Sequence, residues 1–289
     1  MKHFLLTLLI CCPLLANTLL AQSGDAALQK TLEASYNTWR DSMMRADASA
    51  WAAAITRYRQ VMVRNQIVSE KRAFPGAVFE VPFHPPALKG LRLLEAQAKG
   101  TTAHLVYFGP VDMGQDLEKI PDNILKLKFG FENGGWRYDS NRFTSLDHVP
   151  EVRKSLQEMK KPDFLDTAEY TPPGSLPPVP PLCRVPDHKA GFKLQSFGFE
   201  TTVVMNGVSY DSVEDGLDQQ IITGGLMNGA NEITLRIKPV TRPEGQKPVL
   251  QLRIYKLGNE EGKPGVEVFR WEAPATEVPR EISLPFTVK

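Results

Sequence analysis

The sequence predicts an α+β region of helices packed on a curled antiparallel sheet, joined through a proline-rich linker to an all-β sandwich. Three observations carry this expectation. Apolar residues recur at helical spacing early in the chain, their period falls to two after Pro86, and seven prolines lie between Thr171 and Pro186. Helices followed by strands is an α+β order, and a stretch of alternating strands without helices reads as a sandwich.

The elements follow in chain order. Lys2 and the apolar run Phe4 to Leu15, broken by Thr7, Cys11, Cys12 and Pro13, have the charge and length of a signal peptide. Ala21 before Gln22 offers the cleavage point, so residues 1–21 are expected to be removed and the mature chain to be exported, to the periplasm or beyond the cell. Pro13 and Asn17 cut the run short of a membrane span, and no later stretch is long and apolar enough, so no transmembrane anchor is expected after cleavage. A lipid anchor would need a small residue before the modified cysteine, and Ile10 precedes Cys11. Cleavage leaves Cys183 as the lone thiol, so no disulfide within the chain can stabilise it.

Leu28, Leu32, Tyr36, Trp39 and Met43 put one apolar face on a first helix. Asp47 and Ser49 offer N-caps for a second helix carrying Trp51, Ala54, Ile55 and Tyr58. Val61 to Glu70 reads equally as helix or strand. Beyond Pro86, Leu94, Ala96 and Ala98 alternate with Glu95, Gln97 and Lys99, and AHLVYFGPV follows a Gly100-Thr101 turn. In ILKLKFGFENGGWRYDSNRF, Leu125, Leu127, Phe129 and Phe131 share one face and Lys126, Lys128 and Glu132 the other. Asn133, Gly134 and Gly135 turn the hairpin, and Trp136 and Tyr138 return on a common face.

The long first helix, the short Asp47-led second helix and the ENGGWRYDSNRF hairpin together make residues 26–143 resemble the nuclear transport factor 2-like superfamily, also called cystatin-like or SnoaL-like. That resemblance implies a cone, in which helices close a half-barrel sheet, and a domain spanning residues 22–165. It also implies a pocket between helix and sheet. Tyr36, His104, Tyr107, Trp136 and Tyr138 are the polar-tipped aromatics that could line it. His104 and Tyr107 have opposite parity on one strand, so only a bulge would let both face the same cavity.

TPPGSLPPVPPLCRVP has only thin basic or aromatic flanks for a proline-rich recognition motif and is expected to act as a spacer within a linker of residues 166–187. After it, residues 188–289 show an Asn206-Gly207 hairpin signal and the alternating runs NEITLRIKPV, VLQLRIYKL, VEVFRWEA and EISLPFTVK. IITGGLMNGANEITLRI is similar to an element of galactose-binding-like and immunoglobulin-like sandwiches of exported proteins, a likeness that transfers no binding residue.

Function is constrained mainly by what is missing. Once Lys2 leaves with the signal, lysine plus arginine balance aspartate plus glutamate, which gives no electrostatic footprint for nucleic acid. His84, His104, His148 and His188 are scattered singly, without metal-ligand spacing, and no nucleophile elbow, phosphate loop or dinucleotide fingerprint is present. No metal or cofactor is expected, and no residue set completes a catalytic constellation. Arg57, Arg59, Arg64, Lys71 and Arg72 concentrate positive charge, read as a solvated face because apolar and acidic residues interrupt it. The expectation is therefore an exported non-catalytic protein, its cone binding a small apolar ligand or a protein partner and its sandwich serving adhesion or assembly. Two alternatives stand beside it. One is a cofactor-free isomerase, dehydratase or hydrolase in the cone; the other is carbohydrate binding by the sandwich through exposed Trp271 or Tyr255.

Overall fold

The computed structural model describes residues 26–114, 120–160, 162–241, 247–258, 264–274 and 278–289; residues 1–21, where a signal peptide is expected, lie outside them with Cys11 and Cys12. The architecture is mixed α+β with antiparallel sheets. Among the described residues no helix is long and apolar enough to cross a membrane.

The first helix, α1 (Ala26–Met44), carries the expected apolar face, with Leu32 and Tyr36 fully buried. Asp47 caps α2 (Ala48–Ala54) by accepting from the Ser49 and Ala50 amides, both at 3.0 Å. Those amides hold its carboxyl below the ordinary carboxylate range. The ambiguous stretch is helical, as α3 (Arg57–Ser69). Thr56 decides its start: its hydroxyl accepts from the Arg59 amide at 3.2 Å, satisfying an orphan first-turn donor.

Four strands then form a meander, β1 (Arg92–Lys99), β2 (Thr102–Pro110), β3 (Asp122–Glu132) and β4 (Gly135–Thr144), in spatial order β1-β2-β3-β4. The β3–β4 turn is the two residues Asn133 and Gly134, both at positive φ (51° and 79°), which explains the Asn-Gly pair. One face of this sheet packs against the helices, around Leu32, Tyr36, Trp51, Leu105, Tyr107, Leu125, Leu127, Phe129 and Tyr138. Phe131, expected to share that buried face, is 43% exposed at the hairpin end.

The other face departs most from expectation. Lys126, placed by alternation on a polar solvent face, is only 4% exposed. Helix α4 (Pro150–Gln157) and the turns at 163–166 and 168–170 cover it, and Val106, Phe108, Ile124, Leu146, Leu156, Leu165 and Tyr170 form a second core there. β2 is consequently buried on both faces along nearly its whole length.

Residues 190–288 form one seven-stranded antiparallel sheet that is nearly closed and barrel-like. Its pivot is the 16-residue β5 (Ala190–Met205). The first half of β5 runs between β7 (Val213–Ile221) and β9 (Val249–Lys256); the second half pairs with β8 (Gly229–Pro239) and with the short β6 (Val208–Ser209). A register break between Ser196 and Glu200 bends the strand, with Gly198 at φ 82° and its amide donating to Asp215 Oδ1 at 2.8 Å. The edges are β10 (Val266–Glu272) on β9 and β11 (Glu281–Val288) on β8. Folding the sheet at this bend brings Phe192, Leu194, Leu252 and Ile254 onto one core with Val203, Met205, Ile233 and Leu235.

The proline-rich stretch does not hang free as a spacer. Asn65 on α3 donates to Pro181 O at 2.9 Å and accepts from the Cys183 amide at 3.0 Å, while Arg64 Nη1 donates to Cys183 O at 3.1 Å. Lys71 Nζ reaches Asp187 O at 2.7 Å. Prolines lack an amide donor but keep their carbonyl acceptors, so a helix presenting amide and guanidinium donors can hold such a chain. The same helix touches the second sheet's loop, where the Gly224 amide donates to Ser69 Oγ at 2.7 Å.

Candidate functional site

Between α1 and β4 the protein's own aromatic side chains pack together. Trp39 stacks on Tyr138 with ring centroids 4.0 Å apart, and Tyr36 meets both rings at 5.5 Å. Tyr36 Oη donates to Pro86 O at 2.7 Å, so its polar tip is satisfied inside the core. Burial pushes the Tyr36, Tyr107 and Tyr138 phenols well above the ordinary tyrosine range. Trp136 lies at the rim, packed edge-on against Phe131 at 5.3 Å and bordering a shallow depression beside the hairpin.

His104 is on the opposite face of the sheet from Tyr36, Tyr107 and Tyr138. Regular pairing through β2 keeps the parity conflict, since Leu105 and Tyr107 oppose Leu127 and Leu125 on the helix side. The five aromatics therefore do not converge. Tyr107 finds a different partner: its hydroxyl donates to Glu33 Oε1 at 2.6 Å, at the edge of an open cavity of about 380 Å³ bordered by Gln29, Asn37, Arg40 and Leu88.

His104 instead lines a cleft of about 410 Å³ on the outer face, together with Arg59, Lys126, Lys128, Asp139 and Ser140. Its roof is the chain from Ala168 to Pro177, which includes Pro172, Leu176 and Pro177. The β3 register places Lys126 and Lys128 on this face, and a register break after Lys128 turns the Asp139 carboxylate toward α3. There Asp139 accepts from Thr56 Oγ1 at 2.7 Å, Arg59 Nη2 at 3.2 Å and Ser140 Oγ at 2.8 Å. His104 Nε2 sits 3.1 Å from Glu95 Oε2, both nearly buried.

No family model, no curated protein and no solved structure matches this chain. The cleft must therefore be read from its own chemistry.

Lys126 is its most unusual group. Its ammonium donates to Glu169 O and lies 4.6 Å from the centre of the Tyr170 ring. Desolvation, with like charge from Lys128, pulls its pKa below the ordinary lysine range. Alternation in β3 gave no hint of this, because the covering segment comes from residues 146–170, far along the chain. The signal available was Leu156 and Leu165 at the end of the expected domain and Tyr170 within the expected linker.

No group of three or more metal-ligating side chains is assembled among the described residues. In the second sheet, Trp271 pairs across from the buried Leu252 and packs on the core, whereas Tyr255 has the opposite parity beside Lys193. The two rings lie on different faces of the sheet and cannot form one flat sugar platform.

Proposed function

We propose that this chain is an exported, non-catalytic binding protein whose ligand site is the outer-face cleft of the first sheet. In this reading residues 22–165 form a nuclear transport factor 2-like cone, and residues 188–289 a sandwich, folded at the β5 bend, that serves adhesion or assembly. The observation that carries it is a contrast between faces. On the helix side Tyr36, Trp39, Phe129 and Tyr138 pack against one another and the cavity of about 380 Å³ lies open at the Tyr107 edge, while the opposite side keeps a roofed cleft of about 410 Å³ lined by charged groups. That volume lies in the range of small-molecule sites, roughly 300–1,000 Å³. In this reading the ligand sits in the roofed outer cleft, whose lining is charged, rather than beside the aromatic cluster of the cone.

Titration of the isotope-labelled mature chain with a library of small polar and apolar fragments tests this by NMR. Ligand-dependent shifts of the Thr102, Lys128 and Ser140 amides are expected. Shifts confined to other surfaces, or no binding from the library, refute the cleft as the site.

The enzymatic alternative has one observation in its favour, the Tyr107–Glu33 contact at the edge of an open cavity. Glu33 Oε1 also accepts from Gln29 Nε2 at 2.7 Å, so this oxygen serves two donors. Turnover of any substrate that is lost on Tyr107→Phe or His104→Ala would establish the enzyme and overturn the non-catalytic reading.

A further inference from the structure

The charges around the cleft are not balanced. Its carboxylates are already committed: Asp139 to Thr56, Arg59 and Ser140, and Glu169 to Arg142 at 3.0 Å. Glu95, beneath the cleft, is committed to His104. The cations are less well served. Lys126 donates to a neutral backbone carbonyl, no hydrogen bond or ion pair is formed by Lys128 among the described residues, and Arg59 Nε is buried with no partner. A buried donor without an acceptor is costly and uncommon in folded proteins, so the site has room for a further acceptor, and the two lysines without carboxylate partners favour an anionic one.

Opposite these cations the wall is apolar. Pro172, Leu176 and Pro177 in the roof and Ala103 and Phe129 in the floor offer no charged group. The roof is also fixed. The Gly174 amide donates to Thr102 Oγ1 at 2.9 Å, and the Thr101 amide to Gly174 O at 2.8 Å. Leu176 is packed so closely on Gly130 that an added Cβ there would fall 2.3 Å from its side chain. A fixed apolar lid over a cationic base is complementary to a molecule with an anionic head and an apolar body.

We propose that the cleft binds a small organic anion, its carboxylate or phosphate head on Lys126 and Lys128 and its apolar body beneath Pro172, Leu176 and Pro177. This rests on the reading that the cleft is the ligand site, and it adds the chemical class. An anion between the two lysines removes their mutual repulsion and favours the charged form of Lys126, which burial opposes. Lys128 is exposed, so its ammonium can reach the head without further desolvation.

Calorimetric titration of the mature chain with hexanoate, hexyl phosphate, inorganic phosphate and hexan-1-ol tests the class and its two sources. One or both of the amphipathic anions are expected to bind more tightly than hexanol or inorganic phosphate, with affinity falling as salt rises. Preference between hexanoate and hexyl phosphate identifies the head. Lys128→Met is expected to weaken the binding about tenfold, equivalent to ~1.4 kcal/mol. Because this lysine is exposed, the variant is expected to keep its fold, which its thermal midpoint checks. Hexanol binding as tightly as the anions would overturn the anionic assignment while leaving the cleft as the site. Failure of both amphipathic anions to bind overturns it too, and the fragment titration then decides separately whether the cleft binds anything. Anion affinity unchanged in a folded Lys128→Met likewise sinks the assignment.

Discussion

Replacing Asn65 by alanine probes the least expected part of the architecture, the clamp between α3 and the proline-rich stretch. Asn65 is 4% exposed and supports the strap twice, donating to Pro181 O and accepting from the Cys183 amide. Arg64 Nη1 adds a third contact to the same side-chain oxygen at 3.1 Å. A neutral hydrogen bond contributes about 0.5–1.5 kcal/mol net, and a donor or acceptor left buried costs somewhat more. Two lost bonds to the partly buried strap therefore predict that Asn65→Ala destabilises its docking by about 2 kcal/mol. Cys183 reports this directly, since it is the lone thiol among the described residues and its sulfur lies 3.6 Å from Asn65 O. Reaction with a disulfide reagent through the undocked state is expected to speed up by as much as about 30-fold, because every 1.4 kcal/mol is a factor of ten. Urea unfolding gives the equilibrium loss independently. An Asn65→Ala protein with wild-type thiol reactivity and a stability change under about 0.5 kcal/mol refutes the clamp.

Other perturbations probe the cores and the cleft. Lys126→Met, which replaces a desolvated ammonium by an apolar chain of similar length, is expected to leave stability unchanged or raise it by about 1 kcal/mol in urea unfolding. A clear loss would show that the contacts to Glu169 O and Tyr170 outweigh desolvation. Gly100→Ala would place a Cβ 2.3 Å from Gly174 O at φ 54°, so it is expected to cost about 2–3 kcal/mol and to release the roof, read as faster proteolysis between Thr171 and Pro177. The tyrosines give a pH dependence of definite sign. Their folded pKa values are raised above 10.0, so the folded state holds protons that the unfolded state gives up, and their stabilising share is lost as pH climbs beyond about 10. Each approaches a slope of about 1.4 kcal/mol per pH unit only well above pH 10, where the unfolded tyrosine is ionised, so across pH 9 to 11 Tyr36→Phe is expected to remove about 1.4 kcal/mol of the total loss in urea unfolding. An unchanged slope would place the Tyr36 hydroxyl in water.

Local signals were sufficient wherever a residue's role depends on its neighbours in sequence. The spacing of Leu32 and Tyr36 set the buried face of α1, Asp47 set the start of α2, and Asn133-Gly134 and Asn206-Gly207 set two hairpins. Those features follow from helical period, capping geometry and positive φ, which need no distant partner. Strand β7 was not legible because it is largely exposed, so its sequence carries little alternation. The first half of β5 escaped notice because its register depends on a bend at Gly198.

The candidate site belongs to the tertiary structure. Period-two alternation assigned Lys126 to one face of β3, correctly, but could not say that residues 146–170 would cover that face and bury it. His104 and Asp139 are 35 residues apart in sequence, and Pro172 lies a further 33 beyond Asp139; only the meander and the returning strap bring them to one cleft. The sequence by itself determined α1, the start of α2, the strands of the first sheet and two hairpin turns, because those properties are fixed over a few residues. Which apolar faces meet, which charges are stranded without partners and where space is left over are decided by packing between distant segments, and that is where this protein's chemistry resides.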